Sequence, residues 1–109
     1  MKRLYSESFY KPDLEAARAA LDAHIEYNRE TTGRWPDEPF FNAIKQKLTA
    51  QPQWPTKLLL DEDEVAAILN GIAIMDAAGK VRLHGPNGDP GEKFNHLQDR
   101  LMHDIGERK

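Results

Sequence analysis

Residues 61–79 read Asp61-Glu62-Asp63-Glu64-Val65-Ala66-Ala67-Ile68-Leu69-Asn70-Gly71-Ile72-Ala73-Ile74-Met75-Asp76-Ala77-Ala78-Gly79, and this stretch decides the fold class. Asp61 followed three residues later by Glu64 is a reciprocal helix start, in which each carboxylate satisfies a backbone N–H near the other. Val65, Ile68, Leu69, Ile72 and Met75 recur at three- and four-residue steps, and Gly79 lies just beyond, where a left-handed residue commonly ends a helix. The spacing predicts a helix over 62–77. Ala66, Ala67, Ala73 and Ile74 fill the sides that a surface helix gives to charge, leaving Asn70 as the polar exception. A helix apolar almost all round is buried under its neighbours or carries an interface, here a homodimer through 62–77 or a partner groove.

Working outward, Asp89-Pro90-Gly91-Glu92 repeats the capping pattern with proline in the first helical position, and Phe94, Leu97, Leu101 and Ile105 form one stripe after it. Asp37 caps a helix with Pro39 in its first turn and Phe40, Phe41, Ile44 and Leu48 on its buried side, stopping near Thr49. Pro12 opens and Gly33 closes a helix over about 12–31 on which Leu14, Ala17, Leu21, Ile25 and Asn28 share a face. Gln51-Pro52-Gln53-Trp54-Pro55 and His84-Gly85-Pro86-Asn87-Gly88 cannot continue a helix and are loops. Residues 57–60 and 80–83 each suit a short strand. The expectation is an all-α, four-helix domain over 1–109 with a minor two-stranded β element from those two pieces.

Composition narrows the chemistry. With 109 residues, 39% hydrophobic and 30% charged, the chain suits one core with a well-solvated surface. Its net charge of −3 argues against non-specific phosphate binding, and zero cysteines remove disulfides, thiolate metal sites and cysteine nucleophiles. The longest unbroken apolar run, Val65 to Leu69, is far too short for a bilayer, and no apolar run follows Lys2-Arg3, so no membrane association and a cytoplasmic location are expected. The only serines, Ser6 and Ser8, lie in an N-terminal segment expected to be mobile, outside any nucleophile elbow.

On helix four, Glu92, His96, Asp99, His103 and Glu107 follow at steps of four, three, four and four. Imidazole and carboxylate alternating along a face can ligate a metal or shuttle protons, with His24 on helix one as a further ligand for His96, Asp99 and His103. His96 and His103 begin roughly 10 Å apart along the axis, too far for one ion, and such pairs near a helix end are ordinary stabilisers. The glycine-rich loop 85–93 ends at a helix N-terminus but misses the phosphate-loop spacing, and Asp89 and Glu92 suit a cap. Lys45, Lys47 and Lys57 make one modest basic group and Lys2, Arg3 and Lys11 another. No helix-turn-helix is present, so nucleic acid is not the expected partner.

Two features point to a protein partner. Asp22, Glu26 and Glu30 recur every four residues with no basic residue on that line, and Trp35 and Trp54, each followed by proline, flank helix two. A tryptophan in a loop is either a lid on the core or an interface anchor, while an acidic stripe steers association. The expected function is that of a small acidic helical protein of accessory or inhibitor type that binds a larger protein or assembly, a kind some phages and mobile elements encode. No cofactor is expected. The alternative is a metal-dependent or histidine-using enzyme with its site on helix four.

Overall fold

The computed structural model describes residues 4–31, 37–49, 55–83, 85, 88, 89 and 91–107. The order is β1 (Leu4–Phe9), α1 (Lys11–Thr31), α2 (Glu38–Lys47), β2 (Thr56–Asp61), α3 (Glu62–Ala77) and α4 (Glu92–Glu107). Four helices with a small ribbon match the expected class. Both reciprocal bonds of the α3 start are present, Glu64 N–H to Asp61 Oδ1 at 2.8 Å and Asp61 N–H to Glu64 Oε1 at 3.0 Å. Asp37 caps α2 through the N–H of Phe40.

The ribbon pairs differently from expectation. Residues 57–60 do belong to a strand, β2, but its antiparallel partner is β1, with Leu4 opposite Asp61 and Phe9 opposite Thr56. The segment 80–83 is a turn instead. Gly91 explains this locally, because a Cβ there would overlap the carbonyl oxygen of Arg82 and stand 3.0 Å from its nitrogen, so α4 begins hard against that backbone. The N-terminal segment is thus an ordered strand whose Phe9 is fully buried, and Arg100 of α4 donates to the carbonyl of Ser8 at 2.7 Å.

The α4 start is also displaced. Pro90 lies outside the described residues, and the helix runs from Glu92, with the Gly91 carbonyl accepting from Asn95. Asp89 accepts from the N–H of Gly91 and Glu92 from that of Gly88, so both acids serve the turn that Gly91 pins in place.

One core joins all elements, with Phe9, Leu21, Phe41, Ile44, Leu60, Ile68, Ile72, Leu97 and Leu101 fully buried. Its closest helix contact is α1 on α3. Ala16, Ala17 and Ala20 are fully buried on α1, and a Cβ at Gly71 would overlap the carbonyl oxygen of Ala20 and lie 2.6 Å from its carbon. Small residues at this crossing let the two backbones touch. Asp13, only 5% exposed, supplies the second tie: it accepts from the N–H of Tyr10 and from both terminal nitrogens of Arg100, locking α4 onto the start of α1. No helix among the described residues is long and apolar enough to cross a membrane.

Candidate functional site

Where α1 and α3 touch, their side chains are small; toward the C-terminal ends of both helices a groove of about 630 Å³ opens, lined by His24, Tyr27, Asn28, Asn70, Ala73, Ile74, Ala77 and Ala78. The local cause is size. Ala73 and Ala77, one turn apart, leave room that larger residues would fill, while Tyr27 stays 48% exposed at the edge. An aromatic body with a polar tip, left half in water beside alanines, suits contact with another apolar surface.

His24 forms part of the floor. It is 4% exposed, its Nδ1 lies 3.1 Å from the carbonyl oxygen of Ala67, and its ring meets that of Phe41 edge-on at 5.0 Å. Burial holds its pKa below the ordinary histidine value, with the Ala67 carbonyl acting in the opposite direction. At neutral pH it is a neutral side chain fastening α1 to α3.

His24 therefore lines the α1–α3 groove, whereas His96 lines a separate cleft with Tyr10, Asp13, Glu92 and Arg100. His96 Nε2 stands 3.6 Å from Glu92 Oε1, too long for a hydrogen bond, and Asp99 and His103 are exposed. Among the described residues no group of three histidine, cysteine, aspartate or glutamate side chains could hold a metal ion. In that cleft the Asp13–Arg100 pair is committed to joining elements.

The acidic stripe is partly neutralised by neighbours distant in sequence. Lys45 of α2 bonds Asp22 at 2.6 Å, and Lys80 reaches Glu26 at 4.0 Å across two well-exposed side chains. Glu30 is exposed and pairs with no other described residue. Arg29 turns instead to Glu38, holding that carboxyl below its usual range by a direct hydrogen bond. Trp35 and Trp54 lie outside the described residues, as do Gly33, Lys2 and Arg3.

Tyr27 is the groove residue that sequence reasoning did not single out, whereas Ala73 and Ala77 fall in the helix 62–77 that it offered as an interface. The available signal was the pair of alanines one turn apart at the end of a largely apolar helix. Comparison with protein-family models, with curated proteins and with solved structures finds no match to this chain.

Proposed function

We propose that this protein is an interaction module of accessory or inhibitor type that holds a protein partner in the α1–α3 groove. The observation that carries the reading is the groove itself, an apolar trough with a half-exposed tyrosine at its edge. Exposed acids adjoin its lining in sequence, Glu30 three residues from Tyr27 on α1 and Asp76 beside Ala77 on α3, while the neighbouring cations Arg29 and Lys80 are paired with Glu38 and Glu26. The partner that fits is an amphipathic helix offering apolar side chains at three- and four-residue steps with lysine or arginine beside them, the helix-in-groove mode of recognition. A second copy of this chain fits less well, since a two-fold interface would set the same acidic border against itself.

Selection from a library of random helical peptides tests this. The expected winners carry apolar anchors flanked by basic residues, and they shift the backbone amide resonances of Tyr27, Asn28, Ala73 and Ala77. Absence of enrichment, or shifts confined to another face, would overturn the reading.

A further inference from the structure

Two sets of cations on this protein differ in how far folding neutralises them. Lys45 and Lys47, visible in the sequence as a basic group, are neutralised on folding: Lys45 by Asp22, and Lys47 by Glu64 at 2.7 Å with a further bond to the carbonyl of Leu59. The second set is gathered where α3 passes into α4. Lys80, Arg82 and Lys93 line one cleft of about 410 Å³, walled in part by Val81 and Phe94. Arg82 and Lys93 form no ion pair with another described residue, and Lys80 has only its long contact to Glu26. Asp89 is the sole carboxylate among the described residues of that lining, and its Oδ1 already accepts from the N–H of Gly91.

Arg82 and Lys93, with Lys80 shared with Glu26, line the cleft beside one carboxylate and leave a local excess of positive charge on a chain whose net charge is −3. A cleft lined by one sign of charge with apolar walls concentrates the opposite ion. The arrangement is held by backbone, since Gly91 packs directly on the Arg82 main chain and so fixes the segment bearing Arg82 against the start of the helix bearing Lys93. Lys93 is further placed over the Phe94 ring, 5.7 Å from its centre. The loop N–H groups of Gly88 and Gly91 are occupied by Glu92 and Asp89, so an anion here would be held by side chains.

We propose that this cleft binds the phosphate group of a small ligand, with Arg82 offering a planar fork to two of its oxygens and Lys80 and Lys93 supplying point charges. The half-buried Val81 and Met75 give the body of an organic phosphate an apolar surface to lie on. The site is independent of the α1–α3 groove, and either can fail without the other.

The test is titration of the full chain with inorganic phosphate and, separately, with adenosine monophosphate, following backbone amide resonances at constant ionic strength. Saturable shifts are expected at residues 80–82 and 91–93, with Arg82→Gln and Lys93→Gln each weakening binding by about tenfold, the loss expected for one charge-assisted contact. Tighter binding of the nucleotide assigns an organic phosphate, and equal binding assigns the free ion; either upholds the site. Both variants alter side chains outside the core, and unchanged circular dichroism verifies their fold. Shifts that fail to saturate, a double variant that binds as the parent does, or a single-stranded oligonucleotide that outcompetes both probes would overturn the proposal.

Discussion

The two parts of α3 are both rich in apolar residues and meet opposite fates. From Asp61 to Gly71 the helix is sealed: its start is closed by the Asp61–Glu64 exchange, Lys47 reaches Glu64 from α2, and Gly71 lies against the Ala20 backbone. From Ala73 to Ala77 the same helix walls an open groove. Apolarity alone therefore does not say which part of a helix folds the protein and which part remains for a partner. Packing against the opposing helix decides that, and here one glycine marks the boundary.

Gly71→Ala should break the sealed half most severely. Alanine is the better helix former by up to about 1 kcal/mol, yet its methyl would collide with the Ala20 carbonyl, so a net loss of about 3 kcal/mol is expected in urea denaturation. A stability gain would mean that the crossing is looser than described. Asp61→Ala should cost about 1 kcal/mol through loss of the cap, whereas Asp63→Ala, which is not in the reciprocal exchange, should cost less.

A smaller effect is expected from His24 on acidification. Because burial lowers its pKa, the folded state favours the neutral ring, and the unfolded chain takes up a proton near the ordinary value of about 6.5. The His24 contribution is fully present above that value and is lost as pH falls below it toward the folded-state pKa. The melting temperature should decline from pH 7 to pH 5 less steeply in His24→Gln than in the parent. Parallel declines would show that the ring is not fastening α1 to α3. The least effect on stability belongs to the open half: Ala73→Glu, on an exposed position, should change it by no more than about 0.5 kcal/mol.

Much of this architecture was legible because its signals are local. Caps at Asp37 and Asp61 and the stripes Phe41-Ile44-Leu48 and Phe94-Leu97-Leu101 depend on residues within a few turns of each other, and they stand where the spacing put them. The pairing of β1 with β2 joins segments about fifty residues apart, so no local pattern could choose Leu4–Phe9 over 80–83. Separation in sequence also hid the lysines that answer Asp22 and Glu26, and it made His24 look available to helix four when its ring is turned to Ala67. The groove was only half legible, because a cluster of alanines says that backbones approach closely or that space is left between them, and the opposing helix determines which.

The most direct test of this division is the affinity of a library-selected peptide for Ala73→Glu, measured by calorimetry beside the parent at equal salt. A melting temperature that is nearly unchanged is expected, with binding weakened at least about tenfold, since a carboxylate would be set in the apolar wall against the peptide's anchors. Undiminished affinity in a folded Ala73→Glu variant would contradict it.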